Sequence, residues 1–169
     1  MIKKILLAVL MLAPLSLSAQ KFAHFDLNAT ASELPAYKTA EAELKTLGEK
    51  YTKDLEDMQK EIQTKAEKYQ KEVNDQTPQN IRERYEQELQ SMYEKFQQAQ
   101  ADNQKAFEEA RQQKMQPIIQ RIMDAVNAVQ KEGSYVYVLD TQTALQANIF
   151  INTSISEDIT DKIKKKLGL

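Results

Sequence analysis

The chain has 169 residues, with 23 Lys+Arg, 25 Asp+Glu, one His, three Gly, four Pro and neither Cys nor Trp. A mean hydropathy of −0.62 argues against a large globular core, and three glycines cannot furnish a phosphate loop together with the turns of an all-β or α/β fold. One His and no Cys exclude a cysteine nucleophile, a zinc–thiolate cage and a multi-histidine metal site, so no cofactor is expected and the reading turns to binding or assembly proteins.

Met1–Lys4 carries two lysines, Ile5–Leu17 is apolar apart from Pro14 and Ser16, and Leu17-Ser18-Ala19 precedes Gln20. A basic start, an apolar run too short to span a bilayer and a small-residue cleavage site read as a secretory signal peptide over 1–19. Loss of Lys3 and Lys4 leaves 21 basic against 25 acidic residues, a mature chain near −4. A bacterial periplasm is the expected location.

Phe22–Leu27 is a short aromatic run that reads as a strand. No Gly then occurs between Gly48 and Gly133. Tyr37, Ala40, Leu44, Leu47, Tyr51, Leu55, Met58, Ile62, Ala66, Tyr69 and Val73 recur every three or four residues, one narrow stripe on a single helix. From Leu44 the spacing repeats every eleven residues, the signature of a straight or slightly right-handed supercoil. Asn74-Asp75-Gln76-Thr77-Pro78 interrupts it, with Thr77 as N-cap and Pro78 as first helical residue. A second stripe follows through Ile81, Tyr85, Leu89, Met92, Phe96, Ala99, Ala106 and Ala110, with Asn103 as a polar insertion that could fix register. Two striped helices across a polar break predict an antiparallel coiled-coil hairpin over 35–114, its tip near 75–79 and its first helix about 55 Å long.

Past Lys114 the apolar face rotates to Met115, Ile118, Ile122, Val126 and Val129, with Pro117 at the slip. Gly133 reads as a helix C-cap, Ser134–Asp140 as the clearest strand in the chain and Asn148–Asn152 as a third strand. A last helix is expected from Ser154–Ser156, with a capping box of Ser154 and Glu157 and an apolar stripe of Ile155, Ile159, Ile163 and Leu167. His24 could pair with Asp26, though a packed histidine is the commoner outcome. The fold class is therefore α+β, mostly α: a helical arm on a small β-rich body formed by 20–34 and 115–169. Three short strands leave exposed edges, so sister chains are expected to join there as a homo-oligomer.

These features in order, with Phe25-Asp26-Leu27, Pro35-Ala36-Tyr37-Lys38-Thr39-Ala40, Pro117-Ile118, Tyr137-Val138-Leu139-Asp140 and Asp158-Ile159-Thr160-Asp161, resemble the Skp/OmpH family of periplasmic chaperones over the whole mature chain. The resemblance implies a trimeric barrel with three coiled-coil arms around a cavity, and ATP-independent holding of unfolded outer-membrane β-barrel proteins. It implies no catalytic residues, so the chain is not expected to be an enzyme. On it, Phe22, Phe25, Leu27, Tyr135, Val136, Val138, Ile149 and Ile151 would supply the oligomer interface. Helical phase places Tyr93 and Phe107 beside the second stripe, and with Met92 and Phe96 these are the candidate client contacts. The chain departs from basic members of that family in being mildly acidic, which argues against lipopolysaccharide or anionic-membrane binding; without a basic stripe, nucleic-acid binding is not expected. A structural coiled-coil envelope protein without chaperone activity is the alternative reading.

Overall fold

A computed structural model describes residues 20–169, and the signal-peptide reading of 1–19 lies outside the described residues. In chain order the elements are β1 (Lys21–Phe25), α1 (Leu27–Ala31), α2 (Pro35–Glu72), α3 (Gln79–Gly133), β2 (Tyr135–Asp140), α4 (Thr141–Gln146), β3 (Ser156–Asp158) and α5 (Thr160–Leu167). They form two compact units, one of residues up to Pro35 with Ile118–Leu169, the other Ala36–Pro117.

In the second unit every member of the two predicted stripes is buried or half-buried, while the residues between them are mostly exposed. Contacts between α2 and α3 run antiparallel: Glu43 meets Lys114, Gly48 faces Phe107, Lys65 meets Glu88 and Tyr69 stacks on Tyr85. The turn between the helices differs from expectation. Thr77 does not cap the second helix; its hydroxyl accepts the Asn74 N–H at 2.9 Å, and the Pro78 carbonyl receives Ile81 and Arg82 instead. Arg82 fixes this turn by donating to the carbonyls of Asn74, Asp75 and Thr77 at 3.0–3.2 Å.

In the first unit the sheet order is β2-β1-β3, all parallel. Its central strand carries buried Ala23, His24 and Phe25. A bulge lets Lys21 face Tyr135 and Phe22 face Tyr137, leaving Val136 as the extra residue. Phe22 and Tyr137 stack with centroids 6.1 Å apart. An aspartate at the end of each strand or just past it serves the helix that follows. Asp26 accepts the Ala29 N–H at 2.9 Å, Asp140 the Thr143 N–H at 2.9 Å and Asp158 the Thr160 N–H at 2.9 Å. These carboxylates satisfy amides that a helix start leaves unpaired, Asp26 and Asp140 as N-caps and Asp158 from the residue before the N-cap Ile159. Asp140 also accepts the Leu27 N–H at 3.0 Å, which ties the end of β2 to the start of α1. The Thr160 bonds depress the Asp158 pKa; for Asp140, bonds from Thr143 and Leu27 outweigh burial and do the same.

Ile118, Ile122, Val126 and Val129 of α3 and Ile159, Ile163 and Leu167 belong to the buried core of this unit, where Ile122, Ile159 and Ile163 are fully buried. Pro117 stays inside α3. Having no N–H, it removes one bond to the carbonyl of Gln113, an exposed residue.

Several local readings are corrected. Asn148–Asn152 forms no strand; the third strand is Ser156–Asp158, paired with β1. The apolar run Ile149-Phe150-Ile151 has β propensity but pairs with no strand among the described residues. The last helix starts at Thr160 rather than near Ser154, and Ile155 is 69% exposed outside its stripe. The first strand ends at Phe25, because Asp26 caps α1 and Leu27 begins it. Gly133 is the last residue of α3, and Ser134 takes the left-handed position with φ 55°. Glycine is needed at 133 for space: a Cβ there would stand 2.0 Å from the Tyr135 ring.

Candidate interaction surfaces

No group of three or more His, Cys, Asp or Glu able to hold a metal ion occurs among the described residues, and no described helix is long and apolar enough to cross a membrane. His24 is a packed histidine whose Nδ1 shares a hydrogen bond of 2.9 Å with Ser156 Oγ. The features available for chemistry are surfaces, on each unit separately.

In the helical unit, Tyr93 is 50% exposed. Met92, Phe96 and Phe107 are half-buried, so of the four predicted client contacts only Tyr93 is exposed. Phe107 lies across a gap left by Gly48, where a Cβ would sit 3.5 Å from the ring. The gap opens into a dent of about 370 Å³ between the helices, floored by Tyr51, Leu55 and Phe107 and rimmed by Gln100, Asn103 and Gln104. Sequence phase singled out Phe107 but not the dent, since a missing side chain on one helix matters only once the opposite residue is known.

Near the turn, Tyr69 and Tyr85 stack at 3.9 Å with their rings 3° from parallel. Glu88 accepts from both Lys65 and the Tyr69 hydroxyl, while Tyr85 donates to Glu72 at 2.8 Å. The Lys65 and Tyr69 bonds hold the Glu88 carboxyl below its ordinary 4.5, whereas the Glu88 bond lifts Lys65 above 10.5 and, with burial, Tyr69 above 10.0. A depressed carboxylate stabilises above its unfolded pKa and stops doing so as pH falls; a raised Lys or Tyr stabilises below its unfolded pKa and stops as pH rises. The stacked pair is therefore expected to give a constant near-ultraviolet dichroism from pH ~5 to ~9 and to lose it on either side, in acid as Glu88 protonates. An unchanged signal down to pH ~2 would overturn this role for Glu88.

In the sheet-bearing unit the eight predicted interface residues divide. Phe25 and Tyr135, at 3% exposure each, are buried within the protomer. Their place on opposite sides of the register made them look equivalent to their neighbours, although burial depends on the helices covering the sheet. Phe22, Leu27, Val138 and Ile151 are half-buried, and Val136 and Ile149 are exposed. The larger exposed groups are Tyr137, Leu145, Phe150 and Ile155, of which Phe150 is 87% exposed. The outer edge of β2 borders a groove of about 640 Å³, whose walls include Leu27, Met123, Val138 and Ile149. An unpaired strand edge beside exposed aromatics is the usual form of an unfinished interface.

The basic C-terminal helix is largely neutralised: Lys162 pairs with Glu157, Lys164 with Glu33 and Lys166 with Glu132.

A solved structure, a candidate outer membrane chaperone (OmpH-like) from Caulobacter crescentus CB15, is similar with a TM-score of 0.66 at 19% identity, covering 89% of this chain and 85% of that one. At that identity the likeness concerns the fold. No curated protein matches the chain. The family model for outer membrane protein (OmpH-like) matches residues 21–167, nearly the whole described chain, and the protein belongs to that family.

Proposed function

We propose that this protein is an ATP-independent holdase of the periplasm, a homo-oligomer, in line with the family resemblance a trimer, that shelters unfolded outer-membrane β-barrel proteins between coiled-coil arms. The observation that carries the reading is the division of apolar surface. The helical unit buries a narrow stripe and keeps a polar exterior with isolated aromatics such as Tyr93. The sheet-bearing unit leaves Val136, Tyr137, Ile149, Phe150 and Ile155 exposed beside an open strand edge, as a subunit awaiting sister chains would. Family membership and the chaperone-like fold neighbour favour the same conclusion. Without a nucleotide site, grip must come from many weak contacts, and release from competition by the client's own folding.

The test is light scattering of a denatured outer-membrane β-barrel protein diluted with and without this chain. Suppression at roughly one oligomer per client is expected, with multivalent arms keeping the local concentration high. Changing Tyr93 and Phe107 together to Ser is expected to weaken suppression severalfold while the oligomer persists, since each removes an apolar contact of about 1.5–3 kcal/mol at full burial. A structural envelope protein would show no suppression in any form.

A further inference from the structure

Halfway along the helical unit, the dent at Gly48 combines two chemistries. Its floor, Tyr51, Leu55 and the Phe107 ring, is apolar and partly open to solvent. Its rim carries the side-chain amides of Gln100, Asn103 and Gln104. Elsewhere on these helices glutamines bond to an acid four residues on: Gln63 to Glu67, Gln79 to Glu83, Gln90 to Glu94 and Gln98 to Asp102. The rim amides cannot repeat this at 100 and 103, because the residues four ahead are Gln104 and Phe107. No side-chain hydrogen bond of Gln100, Asn103 or Gln104 is present among the described residues. Glu108, the one acid on the rim, is held by Arg111 at 3.0 Å.

We infer that this dent is a subsite for one large apolar side chain of an extended, unfolded polypeptide, whose main-chain amides are met by the rim. The inference rests on the holdase reading and adds the part of the client that is recognised. An amide side chain both donates and accepts, so it matches either backbone group without preference for sequence. A folded protein has these groups paired within its own sheets and helices and offers none to the rim. The rim's three amides, beside a Glu108–Arg111 pair of no net charge, suit neutral backbone, and the dent's volume of about 370 Å³ admits a single indole or phenyl group rather than a helix. Selectivity for the unfolded state then follows from backbone availability, and sequence tolerance from the undirected floor.

The chain contains no Trp, so an unstructured Ser/Gly/Thr peptide with one central Trp reports its own environment by fluorescence. The full-length mature chain is expected to blue-shift this peptide and to leave a Trp→Ser version, followed by a terminal dye, essentially unbound. Gly48→Leu fills the dent and is expected to weaken Trp-peptide binding at least about tenfold, the loss of burying one large side chain. Gly48→Ala adds only a methyl at ordinary contact distance and should retain most of the affinity. The double change Gln100→Ala and Gln104→Ala alters two exposed positions, leaves the helices folded and is expected to weaken binding severalfold. Wild-type affinity in either Gly48→Leu or the double variant overturns the subsite while leaving the holdase reading standing. Absence of peptide binding by the unaltered chain overturns the subsite too. If the light scattering above also shows no suppression, the holdase reading goes with it.

Discussion

Replacing Ile163 by Ala is expected to destabilise the sheet-bearing unit by about 2–5 kcal/mol, the range for removing a buried aliphatic side chain and leaving a cavity. Ile163 has no exposed surface and lies on α5 between Ile159, also fully buried, and Leu167. Relaxation into the void is restricted from both ends of the helix. At its start, the Ile159 N–H bonds the His24 carbonyl at 2.9 Å and Asp158 holds Thr160. At its end, Gly168 in the left-handed conformation closes the helix, and the Arg121 guanidinium donates to the Leu167 carbonyl at 3.0 Å. A helix pinned at both termini cannot slide to fill the space, so the loss belongs at the upper part of that range. The midpoint of thermal unfolding should fall by about 5–15 °C, and amide exchange in Lys21–Phe25 should accelerate because β1 loses its packing. An unchanged midpoint would mean that α5 does not hold the sheet.

The two helical glycines are expected to respond to the same mutation with opposite signs. Gly48→Ala should stabilise the helical unit by about 0.5–1 kcal/mol, since alanine restricts the unfolded chain and the new methyl meets the Phe107 ring at an ordinary 3.5 Å. Gly133→Ala should destabilise by about 1–3 kcal/mol, a typical cost of overpacking. Its methyl would fall 2.0 Å, 2.6 Å and 2.7 Å from Cε2, Cδ2 and Cζ of Tyr135. That ring has no easy retreat. It is 3% exposed, its hydroxyl donates to Glu157 Oε2 at 2.6 Å and accepts from Lys162 Nζ at 3.0 Å, and Lys162 also lies 5.7 Å over its face. Moving it would unmake that cluster as well as the packing. Paired chemical denaturation of the two variants reads both signs, and stabilisation by Gly133→Ala would refute the steric account.

The extent to which these features were legible in the sequence follows physical lines. The helical unit was readable almost residue by residue, because its burial is set by one-dimensional periodicity: a stripe from Tyr37 to Val73 can face only one direction. Ser134–Asp140 was readable for a similar local reason, its run of β-branched and aromatic residues. What local pattern could not reveal depends on partners distant in the chain. Ile149–Ile151 carries the propensity of a strand, whereas Ser156–Asp158 carries little and is one because β1 accepts it. Gly133 reads as a cap from spacing alone, and its closeness to the Tyr135 ring is a property of the folded turn. The same holds for Phe25 and Tyr135: alternation says that they leave the sheet, and only the helices decide what covers them. The role of Arg82 is equally non-local to the pattern, its guanidinium being occupied by three carbonyls of the turn.

The parallel sheet has a consequence for the order of events during synthesis. Its central strand, Lys21–Phe25, emerges early, yet both neighbours, Tyr135–Asp140 and Ser156–Asp158, lie more than a hundred residues downstream. Until those strands have appeared, this segment lacks the partners it has in the folded sheet, while each helix can nucleate as soon as its own turns exist. The rods therefore form first and the sheet closes last, so that any surface built on the finished sheet is complete only after Asp158 has emerged.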